Sequence, residues 1–81
     1  MTTTEFTSLQ RDDLVRAAKS GKTYRVVVSQ PNSVYAPGLL GHYVYVQRCN
    51  EQGTQDGLTN REKACGSPIR EASAKWVVVN R

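Results

Sequence analysis

Residues 24–29 read YRVVVS and residues 42–49 read HYVYVQRC, and these two stretches decide the fold class that the sequence predicts. Both are rich in β-branched and aromatic residues, and each is followed by a polar segment that contains proline or glycine. They therefore predict two strands, of which the first ends at the turn residues 30–33. The final stretch 75–80, KWVVVN, has the same composition and predicts a third strand.

The segment before the first strand predicts an N-terminal helix. Thr7 and Gln10 have the spacing of a capping box, and apolar residues recur over the following turns up to Ser20. Gly21 comes directly after this stretch, where a glycine commonly ends a helix in the left-handed conformation. The sequence therefore predicts a helix over residues 7–20 with Gly21 as its C-cap.

A short second helix is predicted before the last strand, and two positions compete for it. Ser67 followed by Pro68 fits an N-cap with proline at the first helical position. Alternatively, Thr59 and Glu62 form another capping box, with Gly66 as the C-cap. The predicted fold class is α+β: a small three-stranded, largely antiparallel sheet with the N-terminal helix on one face, in the order α-β-β-α-β. All 81 residues are expected to form one domain.

Side chains alternate across a strand, so each predicted strand presents two sets of residues. In the first strand, Tyr24, Val26 and Val28 are assigned to the core; in the second, Val44 and Val46 are assigned to it. One helix covers only one face of a sheet, and neither face of the second and third strands is polar. The second face is therefore expected to meet loops, another copy of the chain or a partner.

This uncovered face carries aromatic and basic residues, which are enriched at protein-binding hot spots and on base-stacking surfaces. The candidate partner-binding residues are Tyr43, Tyr45, Trp76 and Arg25. Three outcomes stay open for the face: burial beneath loops 31–41 and 50–66, an interface with another protein or a second copy, and a nucleic-acid platform. Between the last two, a protein partner is the preferred hypothesis.

The charge balance permits nucleic-acid binding without indicating it. The chain has eleven Lys and Arg against seven Asp and Glu, a net charge of +4, and its cations are dispersed along the sequence. Such a balance is also typical of an ordinary solvated surface. The alternative function is therefore DNA or RNA binding by cations that the fold gathers around the end of the predicted helix. The candidate residues are Arg16, Lys19, Lys22 and Arg25.

No motif indicates a reaction, and we predict a protein that is not an enzyme. The letters GKT at 21–23 end like a phosphate-binding loop, but the earlier glycine of that motif is missing and the predicted helix precedes it. His42 is the only histidine, so candidate residues are too few for nucleophilic catalysis or a zinc site. No catalytic residue, metal ligand or cofactor is assigned.

The cysteine usage favours a cytoplasmic protein. Residues 1–10, MTTTEFTSLQ, lack the basic and apolar regions of a secretory signal, so Cys49 and Cys65 are predicted to be free thiols, with a bridged pair as the alternative. The apolar run 76–79 is far too short to cross a bilayer. In size and general character the chain resembles small accessory proteins of phages and mobile elements. We expect it to act as an inhibitor or regulator by occupying a surface of a larger protein.

Overall fold

The computed structural model describes residues 1–31, 42–69 and 72–80, and strands dominate it. Its elements in chain order are α1 (Thr3–Ser8), β1 (Leu14–Ala17), β2 (Thr23–Pro31), β3 (His42–Arg48), α2 (Asn60–Lys63), β4 (Gly66–Ile69) and β5 (Trp76–Asn80). The five strands form one antiparallel sheet in the order β4-β3-β2-β1-β5. The sheet curls into a half-barrel, in which the last strand pairs with the first.

The predicted three-stranded sheet with an N-terminal helix is wrong, chiefly because residues 7–20 do not form a helix. α1 begins earlier, at a capping box in which Thr2 and Glu5 exchange side-chain-to-backbone hydrogen bonds of 2.9 and 3.1 Å. Asp12 then has a φ of 76°, which no helical residue adopts. The next residues form β1, whose adjacent residues Leu14 and Val15 are both buried on opposite faces.

Gly21 belongs to a hairpin turn and not to a helix end. Residues 18–22 connect β1 to β2, which pair antiparallel with Val15 opposite Tyr24. Gly21 has a φ of 73°, and its N–H donates to the carbonyl of Ala17 at 2.8 Å. A left-handed glycine is required in both settings, so the residue type alone does not distinguish them.

The two predictions for a second helix have opposite outcomes. α2 follows the Thr59 cap, where Thr59 and Glu62 exchange hydrogen bonds of 3.2 Å each, so this capping box is confirmed. The helix ends at Lys63 with Ala64 as its C-cap, before the predicted Gly66. The helix predicted from Ser67 is wrong, because Ser67 and Pro68 belong to β4. β4 lies at one edge of the sheet, where a proline is tolerated.

The three predicted strands are present, with one change that alters a face. β3 and β5 match their predicted ranges to within one residue, whereas β2 continues through Pro31. A bulge between Val26 and Val28 shifts the register of β2 against β3. Tyr24 and Val26 stay on the core side, but Val28 pairs with Tyr45 on the opposite side, so its core assignment is wrong. Most of the predicted loop 31–41 lies outside the described residues.

The core lies on the concave side of the sheet, which we call the inner face. Phe6 of α1 and Leu9, which follows it, are 0% and 3% exposed and cover this face. The strand residues that they pack against are Val15, Val26, Val44, Val46 and Ile69. Two apolar side chains from one short segment thus complete a core that draws on four strands.

Candidate binding surfaces

Three of the four predicted partner-binding residues lie on the face opposite the core, which we call the outer face. Arg25 of β2 is paired with Gln47 of β3, and paired residues share a face. Tyr45 and Tyr43 precede Gln47 at spacings of two, so they lie on that face too. The structure therefore brings Tyr43, Tyr45 and Arg25 onto one surface.

Trp76, the fourth predicted residue, lies on the inner face. It pairs with Ala17 of β1 and packs against the edge of the core. Its ring meets that of Tyr24 edge to face, with centroids 5.3 Å apart and an interplanar angle of 76°. Alternation along the isolated strand left the face of Trp76 open, because only the pairing with β1 decides it.

Segment 50–58 covers the middle of the outer face. A Cβ on Gly53 would lie 3.2 Å from Leu14 Cδ2, so the backbone there packs directly on Leu14, which is 6% exposed. Thr23 and Cys49 are also buried, and the Cys49 N–H donates to the Thr23 carbonyl at 3.1 Å. Burial raises the pKa of the Cys49 thiol. Segment 50–58 therefore packs on Leu14, which is not one of the residues whose burial beneath loops the sequence left open.

Asn50 organises the covering segment. Its side-chain oxygen accepts hydrogen bonds from the backbone N–H groups of Gln52 and Thr54, at 2.9 and 3.0 Å. Its amide nitrogen donates to Thr54 Oγ1 at 2.7 Å and to the Asp56 carbonyl at 3.0 Å. This asparagine turn explains how a polar sequence without regular structure keeps a fixed position over the sheet.

The tyrosine side of the outer face is half-buried. The ring of Tyr45 lies across Gly66 of β4, whose missing side chain leaves room for it. Tyr43 is opposite Gln30 and is also half-buried. Arg25 Nη1 lies 3.1 Å from Asp12 Oδ1, so its charge already has a partner. These residues therefore form a mixed polar and aromatic patch with limited exposed area.

The other side of the outer face ends at β5, an edge strand of the sheet. Among the described residues, the exposed large hydrophobic side chains are Val77, 46% exposed, and Val79, 40% exposed. Val77 is paired with Arg16 of β1, which places a cation beside it on the same face. We call residues 77–79 the β5 edge.

The hydrogen-bond pattern gives the β5 edge free backbone groups. The Ala18 N–H donates to the Lys75 carbonyl at 2.8 Å, so alternate residues 75 and 77 face β1 while 76 and 78 face away. The Trp76 carbonyl accepts from the amino group of Met1 at 2.7 Å. Within residues 1–31, 42–69 and 72–80, no strand pairs with the far side of β5. The N–H and C=O of Val78 are therefore available to a new strand.

The structure places the four predicted nucleic-acid contacts on the outer face and in the turn that adjoins it. Arg25 is paired with Asp12, and Arg16 lies beside Val77 on the outer face. Lys19 and Lys22 are exposed in the turn 18–22. Lys19 instead lines an open cleft that Ala17, Ser20, Lys75 and Trp76 complete. The four nucleic-acid candidates did not include Lys75, although its position next to the single tryptophan was a usable signal.

His42 makes a contact that resembles a nucleophile and its base. Its Nε2 lies 2.9 Å from Ser29 Oγ, but the Ser29 hydroxyl donates its hydrogen to the Leu9 carbonyl at 2.5 Å. The hydroxyl must then accept a hydrogen bond, so Nε2 is the protonated nitrogen and has no lone pair for a base. The Phe6 ring packs edge-on against the imidazole at 5.6 Å, and burial lowers the pKa of His42. The pair fastens the N-terminal segment to the sheet.

Arg48, which the sequence did not single out, holds three parts of the fold together. Its Nη1 donates to the carbonyls of Thr23, at 3.1 Å, and of Cys49. Its Nη2 lies 3.7 Å from Glu62 of α2, and its guanidinium carbon is 6.0 Å from the Tyr24 ring centre. These contacts make it a structural cation.

The remaining chemistry is sparse. Cys49 and Cys65 are free thiols, as predicted. In the described part of the chain, no group of three or more His, Cys, Asp or Glu side chains is placed to hold a metal ion. None of the helices described there is long and apolar enough to span a membrane. No family model matches the chain, and neither do any curated protein or solved structure.

Proposed function

We propose that this chain is a cytoplasmic, non-enzymatic binding protein that occupies a surface of a larger protein as an inhibitor or regulator. The observation that carries the proposal is the β5 edge, where exposed valines flank a backbone position that no strand of the described residues pairs with. An extended segment of the partner would add to the sheet as a further strand beside β5.

The two edges of the sheet differ in a way that supports this choice. β4 carries Pro68, which removes a backbone donor and discourages strand addition. In β5, residues 76–79 contain neither proline nor a charge, which leaves the backbone open to pairing. The valines contribute apolar area that binding would remove from water, at about 25 cal/mol per Å².

Charge indicates the character of the partner. Arg16 lies beside Val77, Lys75 precedes the strand, and the chain has a net charge of +4. An acidic surface flanking the added strand would therefore speed association and fix its orientation. Two copies of this chain would repel each other, because each has a net charge of +4. A second copy is therefore a weaker occupant of the edge than an acidic partner.

The test compares two double variants on the same face. Val77→Thr with Val79→Thr removes apolar surface and keeps β-branching, whereas Tyr43→Ser with Tyr45→Ser removes the tyrosine patch. Because the valines are exposed, the threonine variant should unfold within about 0.5 kcal/mol of the wild type. We expect it to lose the partner recovered from host lysate and the tyrosine variant to retain that partner.

The reverse pattern would move the binding site to Tyr43, Tyr45 and Arg25. A partner that survives both double variants, or no partner with the wild type, would contradict the proposed function. Sedimentation of the purified chain completes the test. Concentration-dependent dimers that disappear in the threonine variant would show self-association instead.

A further inference from the structure

We infer that the cleft beside Trp76 binds single-stranded nucleic acid, with a base stacked on the indole and phosphates held by Lys19 and Lys75. This site is separate from the β5 edge, because Trp76 lies on the inner face and Val77 on the outer face. The inference therefore does not depend on the proposed protein partner.

The cleft has a fixed floor. It is an open depression of about 660 Å³, with Trp76 and Ala17 as its apolar lining residues. The indole is held edge to face by Tyr24 at 5.3 Å, and its strand is hydrogen-bonded to the β1–β2 turn through Ala18 and Lys75. A ring that is already held in place loses little freedom when a base stacks on it.

The rim of the cleft is cationic. Lys19 and Lys75 line it, Lys22 is exposed in the same turn, and none of the lining residues that the structure describes is acidic. The ion pairs found among residues 1–31, 42–69 and 72–80 join Arg25 to Asp12 and Arg48 to Glu62, so they do not involve Lys19 or Lys75. Ammonium groups around an aromatic side chain favour a ligand that carries negative charge and also has a flat ring to stack on the indole.

A single strand of nucleic acid fits both features. Its phosphates repeat along a flexible backbone, and its unpaired bases stack on exposed aromatic side chains regardless of sequence. In a duplex the bases are already stacked, so a half-buried indole in a shallow cleft reaches none of them. An acidic peptide would use the lysines alone and leave the indole unstacked.

The inference changes the set of basic contacts that the sequence indicated. Lys19 and Lys22 stay near the site, and Lys75 and Trp76 join it. Arg25 is excluded by its ion pair with Asp12, and Arg16 by its position on the outer face. Variants of these two groups should therefore behave differently.

The experiment titrates the intact protein with a labelled oligothymidylate of about ten nucleotides, a length within the usual site size of one small domain. Trp76 is the only tryptophan, so its fluorescence reports stacking directly. We expect quenching, together with an affinity that falls steeply between about 50 mM and about 200 mM salt.

Lys19→Gln with Lys75→Gln should flatten the plot of log affinity against log salt by about 1.4, or about 0.7 for each lost phosphate contact. The matched control, Arg11→Gln with Arg61→Gln, removes the same charge at two exposed positions outside the cleft and should leave the slope unchanged. Trp76→Phe should weaken binding about tenfold without changing the slope, because only stacking is reduced.

Several results would overturn the inference. These are an equal loss in the arginine control, equal affinity for duplex DNA, and binding without quenching of Trp76. A polyglutamate peptide that binds as tightly as the oligonucleotide would assign the cleft to an acidic protein segment instead. Circular dichroism of each variant keeps a folding defect distinct from a lost contact.

Discussion

The two faces of this sheet contain similar residue types but are covered in different ways. On the inner face of the curled sheet, Phe6 and Leu9 are buried against the strands, and Met1 and Ala72 pack beside them. On the convex outer face, segment 50–58 buries only the middle and leaves Val77 exposed. The difference teaches that curvature as well as composition decides which apolar residues stay available for binding.

The largest expected effect tests how strongly the stability of the fold depends on Phe6, which covers the inner face. Phe6→Ala truncates the largest fully buried side chain on this face and should lower the free energy of unfolding by about 3–5 kcal/mol, measured by urea denaturation. Tyr43→Ala removes a half-buried outer ring and should cost clearly less. Equal losses would mean that both faces depend equally on their covers.

The next effect concerns the cover of the outer face. Gly53 and Gly57 have φ values of 84° and 80°, so alanine at either position costs about 1–3 kcal/mol of backbone strain. A Cβ at Gly53 also meets Leu14 at 3.2 Å, whereas one at Gly57 meets no atom within 4 Å. In thermal unfolding, Gly53→Ala should therefore lose more stability than Gly57→Ala. An equal loss would show that segment 50–58 does not press on the sheet.

A smaller effect tests how the N-terminal segment is held on the inner face. Ser29→Ala deletes the hydroxyl that joins the Leu9 carbonyl to His42 and should cost about 1 kcal/mol in chemical denaturation. Ser8→Ala is the control, because Ser8 also donates to a carbonyl, that of Thr4, but on an exposed helix. If both variants lose the same free energy of unfolding, the Ser29 contact does not help to hold the N-terminal segment on the sheet.

The sequence was sufficient for three of the five strands and insufficient for the sheet. Runs of β-branched and aromatic residues identify β2, β3 and β5 because that signal is local. β1 was not predicted, because residues 14–17, LVRA, form a short segment that follows residues with helical spacing. Only the pairing with β2 and β5 stabilises them as a strand, and pairing between distant segments is invisible in a local pattern.

For the candidate surfaces too, the sequence predicted only what a single strand determines. Alternation alone grouped Tyr43 with Tyr45, because both lie on one strand. It could not assign Trp76, whose face depends on its pairing with Ala17, nor gather Lys19 and Lys75, which lie far apart in sequence. The exposure of Val77 was equally hidden, since it follows from β5 being an edge strand.

The smallest expected effect uses pH to test the contacts of His42 with Ser29 and Phe6, which fasten the N-terminal segment to the sheet. Burial lowers the pKa of His42 below its ordinary value of 6.5, so on acidification the unfolded chain takes up a proton before the folded chain does. The free energy of unfolding should therefore fall as the pH drops from about 7 to about 5.5, above the range where most carboxylates titrate. His42→Gln keeps an N–H donor for Ser29 but does not titrate, so its melting temperature should stay nearly constant over that range. Because His42 is the only histidine, a wild-type melting temperature that stays level or rises on acidification would show that the imidazole is more solvated than its contacts with Phe6 and Ser29 imply.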